Sequence, residues 1–364
     1  MPDAIWIERN EQQAELAAAL AEQPWFGLDT EFMRERTFFP RLCLLQIAIG
    51  GRIWCVDTLG GNNLQVLTPA FTAPATRKII HSARQDLEAI YLHSRRVVAP
   101  VFDTQIVAGC IGMKPQIGYA ELAQLLLGVT VAKGQTRSDW SRRPLSAAQV
   151  QYAAEDVLHL GEIAERLMHR LVALGREAWA QQDCEALSDP SLYDADPARA
   201  WERVRGLAQL QPHPRERARA LAIWREREAR ARDLPRAWIL SDAAMFDAAH
   251  LNPTTGQELQ QALHPPDDFP AALAEGLLET LREASRRDPS DMAPGKDARL
   301  TPEQKMMLEK LSRRLDARAK ELGINAEILA PRAELKAMAQ GERLTACQQG
   351  WRRDVIGAEL MSML

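Results

Sequence analysis

Cysteine is scarce in this 364-residue chain, and its placement excludes more than its number does. Cys43, Cys55, Cys110, Cys184 and Cys347 are odd in number and never form a CxxC pair. That arrangement builds neither a disulfide framework nor a cysteine zinc site, and it fits reduced thiols in a core. Long apolar runs are missing too. No stretch of 18 apolar residues is present to cross a bilayer as a helix, so no membrane association is expected. The opening MPDAIWIERNEQQ lacks the basic start, apolar stretch and small-residue cleavage site of a secretory signal, and a cytoplasmic location is expected. No short repeat punctuates the sequence.

Charge of one sign is not in large excess either, with a formal net charge of −4. The balance is uneven along the chain. Residues 1–198 hold 18 basic and 24 acidic side chains, whereas 199–236 hold 11 arginines against 5 acids. Residues 237–295 fall to −7 and 296–364 return to +3. Such alternation permits basic patches that hold phosphates on an acidic protein. Solvated helix faces laced with ion pairs are the competing explanation.

What is present is a globular composition, 46% hydrophobic and 26% charged. The length exceeds what one core usually organises, so two or three domains are expected. Five β-type runs, 25–28, 42–49, 52–57, 77–81 and 97–102, crowd the first part, with Gly50-Gly51 marking a hairpin. Helical patterns at 11–22 and 85–93 accompany them. These runs predict a mixed α/β sheet that begins antiparallel and later acquires crossovers. From Tyr119 onward the periodicity is helical, over 119–127 and 146–174, with Ser146 as N-cap. The turn-rich SDPSLYDADP at 188–197 reads as a linker. Two small all-α bundles follow, so the expected domains are 1–190, 199–288 and 296–364.

Asp29-Thr30-Glu31 closes the first strand-like run, and period-two alternation places both carboxylates on one side. Like charges so placed repel unless a cation lies between them, and Mg²⁺ or Mn²⁺ suits oxygen ligands. A DxE pair is common on any surface and does not suffice alone. Tyr152 and Asp156 fall four residues apart on one helix face, where Tyr152 reads either as a water-orienting phenol or as an ordinary helix aromatic. Asp86 opens a helix after the 77–81 run, where a dipole or capping role competes.

The joint order is more specific than any part: Asp-x-Glu on a first strand, Asp after a later strand, Tyr-x3-Asp on a late helix. It resembles the DEDD superfamily of 3′→5′ exonucleases in its tyrosine subgroup. Within it, LDTEF, FFPRLCLLQIA, HSARQDLE, VFDTQIVAG and SDWSRRPLSAAQVQYAAEDV resemble ribonuclease D over most of residues 24–170. Phe38-Phe39-Pro40 stands where that family often has Tyr-Tyr-Pro. The resemblance implies an RNase-H-like fold in which Asp29, Glu31, Asp86 and Asp156 hold two divalent ions, Asp29 bridging them and Tyr152 positioning the attacking water. Arg137, Arg142 and Arg143, which flank Ser138-Asp139-Trp140, are candidate substrate-backbone contacts, or else structural loop residues. Phe32 is a candidate base-stacking residue, or else a packing residue. His81 and Asp103 are expected to be satisfied structural groups.

Residues 204–263 resemble the helicase-and-ribonuclease-D C-terminal domain, which implies auxiliary nucleic-acid binding, and 296–364 read as a divergent copy. The implied substrate is RNA with a single-stranded 3′ end, tRNA precursors above all, cut to nucleoside 5′-monophosphates. The expected state is a monomer without an obligate protein partner. A DNA exonuclease and a catalytically silent RNA-binding scaffold are the alternatives.

Overall fold

The computed structural model describes residues 4–60, 64–131, 134–135, 138–263, 271–288, 300–342 and 346–364. Among these no helix is long and apolar enough to cross a membrane. Contacts divide the chain into two compact units, and their composition does not follow chain order. One holds residues 1–33, 40–193 and 302–364; the other holds 34–39 and 194–301.

In the first unit a six-stranded sheet runs from β1 (Ala4–Ile7) through β2 (Trp25–Met33), β3 (Arg41–Ile49), β4 (Arg52–Asp57) and β5 (Arg77–Ile80) to β6 (Val101–Asp103). The spatial order is β1-β4-β3-β2-β5-β6. β2, β3 and β4 pair antiparallel, while β1, β5 and β6 join in parallel, which is the mixed sheet expected. Gly50 and Gly51 have φ of 55° and 77°, the left-handed pair that closes the β3–β4 hairpin at no steric cost. β1 was not among the expected strands; four residues give a period-two pattern too little length to stand out.

Helices cover both faces of the sheet, so β3 reads as a near-continuous apolar run, RLCLLQIAI. On one face α1 (Asn10–Ala21), α2 (Thr68–Thr72) and α3 (Arg84–Ser94) bring Leu16, Leu20, Phe71, Leu87 and Ile90 against Leu28, Leu45 and Ile47. On the other lie α4 (Thr104–Cys110), α5 (Tyr119–Leu127), α6 (Ala147–Leu158), α7 (Leu160–Leu174) and α8 (Glu177–Glu185), with Ala153, Val157, Ile163 and Leu167 in the same core as Ile53 and Ile79. α7 comes so close to β2 that a Cβ at Gly161 would stand 2.1 Å from the Trp25 ring.

The expected helix over 146–174 is two helices, broken at His159. Tyr119 is the cause. Its Oη donates to the Glu155 carbonyl (2.9 Å) and accepts from the His159 N–H (3.1 Å), so a hydroxyl stands between the two groups an unbroken helix would join directly. Ser146 caps α6 as expected, accepting from Gln149 N in a capping box.

The last part of the chain packs onto this unit. Trp351 stacks on Trp179 at 4.3 Å, and Arg352 grips Asp183 with a fork of 2.5 and 2.8 Å. The second unit is helical around α9 (Pro212–Arg232), followed by α10 (Arg236–Ile239), α11 (Asp242–Leu251), α12 (Gly256–Leu263) and α13 (Ala271–Ser285). Its arginines are largely spent internally. Buried Glu226 meets Arg203 at 3.2 Å, Arg230 at 3.7 Å and Arg236 at 2.5 Å, and Arg225 meets Asp242 at 2.6 Å. The charge surplus in 199–236 is therefore in good part an ion-pair lattice, the second of the two explanations its composition allows.

Candidate active site

β2 turns Asp29 and Glu31 to the face covered by α6, and α6 brings Asp156 to meet them. Carboxylate oxygens of Asp29, Glu31 and Asp156 lie within 4.8 Å of one another. A β-bulge between Glu31 and Phe32 re-aims the strand just beyond the pair. Asp86 stands in the first turn of α3 beside this trio and accepts from Thr30 Oγ1 at 2.5 Å. Thr30 thus ties the α3 carboxylate to the strand between the two acids, a link that no motif in the chain signals.

The electrostatics follow from crowding and burial. Burial first, then Asp86, Asp156 and Glu31, raises the Asp29 carboxyl well above the ordinary range. Burial, then Asp156 and Asp86, pushes Glu31 up to about 9. Burial takes Asp86 and Asp156 up to about 7, the latter against a hydrogen bond from Tyr152. Four acids held this way cannot all ionise unless positive charge joins them, and hard oxygen donors suit a divalent cation.

Tyr152 lies one turn before Asp156 on α6 and bonds its carboxylate. Its ring sits 6.1 Å from that of Trp140, which is 2% exposed. The loop holding Trp140 is clamped by Arg143, whose guanidinium is fully engaged inside the protein. Nε and Nη2 grip Asp57 (2.6 and 2.7 Å), Nη2 also donates to Cys43 O (2.7 Å), and Nη1 donates to Trp140 O (2.9 Å) and Arg142 O (2.8 Å). All donors of the side chain are used, so the candidate substrate contact at Arg143 gives way to a structural clasp. Arg142 is 84% exposed and 3.5 Å from Asp139. Arg137 lies outside the described residues. Phe32 is half-buried and packs against the core on the α1–α3 face of the sheet.

The remaining polar groups are structural. Asp103 caps α4 through Gln105 N and Ile106 N, and its oxygens also accept from Ser82 N (3.1 Å) and Ala83 N (2.8 Å). That anchors the turn that presents Asp86. His81 is held between Thr104 Oγ1 (2.8 Å) and Ile117 O (3.0 Å).

The pattern of the family described as 3'-5' exonuclease matches residues 4–172, the span that holds the sheet and the convergent carboxylates. The HRDC domain pattern matches residues 215–268. Ribonuclease D of Granulibacter bethesdensis is 34% identical over 379 residues, covering 100% of this chain and 93% of its own. Ribonuclease D of Xanthomonas oryzae pv. oryzae is 35% identical, covering 99% and 98%. The crystal structure of Escherichia coli RNase D, an exoribonuclease involved in structured RNA processing, superposes with a TM-score of 0.91 at 26% identity over 100% of this chain and 98% of that one. The chain belongs to the ribonuclease D family, and it is a 3′→5′ exoribonuclease.

Proposed function

We propose that Asp29, Glu31, Asp86 and Asp156 hold two divalent ions, Mg²⁺ or Mn²⁺, and that the enzyme hydrolyses RNA from its 3′ end to nucleoside 5′-monophosphates. The carrying observation is the convergence of three half-buried carboxylates within 4.8 Å, with a fourth bonded through Thr30. Two such ions supply the Lewis acidity that activates water and eases departure of the 3′ oxygen in an in-line displacement. The protein's own groups do the rest. Asp156 and Tyr152 share a hydrogen bond, which leaves the phenol oxygen beside the acids to orient the attacking water. The Asp103-anchored turn and the Arg143 clasp keep Asp86 and the Trp140 loop in place around them.

The substrate class is RNA with a single-stranded 3′ tail on a structured body, tRNA precursors among them. This rests on the family and on what is described for the Escherichia coli relative. The HRDC-like helices would add nucleic-acid affinity, and the enzyme would act as a cytoplasmic monomer. A time course on a 5′-labelled hairpin with a 3′ tail, with Mg²⁺, with EDTA and beside the matching DNA, tests the reading. Stepwise shortening of RNA that EDTA abolishes is expected. Equal digestion of DNA would refute the RNA preference, and digestion unaffected by EDTA would refute the metal site.

A further inference from the structure

Gln46, in the middle of β3, is 0% exposed, and neither Nε2 nor Oε1 of its side chain has a hydrogen-bond partner. A buried carboxamide in that condition has lost water at both ends and gained nothing for it. The register shows what lies beside it. Antiparallel pairing sets Gln46 directly across from Asp29 on one side and from Cys55 on the other. Opposed residues share a face of the sheet with Cβ atoms about 4.5–5.5 Å apart. Leu44 and Ala48 flank Gln46 on its own strand, and Ala153, Ala154 and Val157 of α6 lie in the same core, while Glu31 and Asp57, both opposite Leu44, are its diagonal neighbours. Of the carboxylates on that face Asp29 alone stands directly opposite Gln46, and Asp57 is already held by Arg143.

We propose that Gln46 is a positioning residue of the nuclease site. With divalent ions bound, its Nε2 donates to the Asp29 carboxylate and fixes the orientation in which Asp29 serves as a ligand. The inference rests on the metal-binding reading above. Hydrogen bonds that orient a ligating carboxylate govern affinity, and their loss commonly costs about 10–100-fold.

The test is calorimetric titration of the full chain with Mn²⁺, paired with melting of the metal-free protein, for wild type, Gln46→Met, Gln46→Leu and Asp29→Asn. Met and Leu keep the volume and remove the amide. Wild type should bind Mn²⁺ and Asp29→Asn should not. Both Gln46 variants should melt, metal-free, at or above the wild-type temperature while binding Mn²⁺ at least about tenfold more weakly. Wild-type affinity in either variant overturns the proposal, as does a loss of metal-free Tm that runs parallel to the loss of affinity in both. Absence of Mn²⁺ binding to wild type overturns the metal reading itself, a failure distinct from the other two.

Discussion

Replacing Arg143 by Met separates a structural clasp from a substrate arm. In the wild type the guanidinium joins three places, the end of β4 through Asp57, β3 through Cys43 O, and the loop before α6 through the Trp140 and Arg142 carbonyls. The variant leaves Asp57, only 9% exposed in its side chain, without its cationic partner, with the Leu59 N–H still donating to it. Breaking a buried pair from one side costs about 3–5 kcal/mol. Arg143 is itself 25% exposed, so water relieves part of that cost and about 2–4 kcal/mol is expected. Burial works against ionised Asp57 more than any single partner favours it, but the Arg143 hydrogen bonds and charge together with the Leu59 and Gly60 N–H groups hold the carboxyl below its ordinary value. A depressed carboxyl contributes stability above its unfolded pKa and loses it as pH falls through the folded one. The penalty of Arg143→Met should therefore be constant between pH 6 and 8 and shrink below about pH 4. Urea unfolding across that range is the assay, with RNA affinity measured in parallel. A loss under about 1 kcal/mol, within what an exposed pair contributes, together with a large drop in RNA affinity, would refute the clasp and return Arg143 to the substrate.

Asp29→Asn should abolish cleavage, and without metal it should melt higher than wild type because a buried, repelled carboxylate is gone; a lower metal-free Tm would contradict the crowding. Because the raised carboxyls bind protons more tightly folded than unfolded, metal-free wild type should lose stability as pH rises from about 4 toward 9, and Mn²⁺ should flatten that slope. A flat metal-free profile in thermal melts would count against the site. Tyr152→Phe should lower turnover about 10²–10⁴-fold with Mn²⁺ affinity retained, and unchanged single-turnover rates would remove its water-orienting role. Tyr119→Phe deletes the hydroxyl between Glu155 O and His159 N; a cost of about 1–3 kcal/mol and reduced turnover are expected, and wild-type melting would show the joint closes without it.

Much of the fold was legible because the patterns that built it are local. The hairpin lies in Gly50-Gly51, the start of α6 in Ser146 and Gln149, and the strands in runs of alternating or continuous apolar residues. What stayed hidden depends on partners distant in sequence. The break at His159 is made by Tyr119, whose hydroxyl comes from a neighbouring helix, and periodicity across 146–174 carries no trace of it. The grouping of 34–39 with 194–301, and of 302–364 with the sheet, is likewise a matter of tertiary contact. Arginine counts left two explanations open for a related reason. Composition reports charge but not pairing, and a single buried acid such as Glu226 absorbs three arginines at once.

For the site, residue type and spacing paired Asp29 with Glu31 and Tyr152 with Asp156, because one strand period and one helix turn bring each pair together, but neither pair sufficed without the joint order of the motifs. Asp86 came only from the joint order of motifs, and its hydrogen bond to Thr30 crosses 56 positions. Arg143 shows the limit from the other direction. A basic residue beside an active-site helix suggests phosphate binding until its donors are traced, and every one of them ends on the protein. Gln46 is the opposite case, an amide with no partner among the described residues, across the strand from a carboxylate. A side chain whose donors all end on the protein belongs to the architecture, whereas a buried amide without a partner beside a carboxylate calls for an explanation, and that difference exists only after register and burial are known.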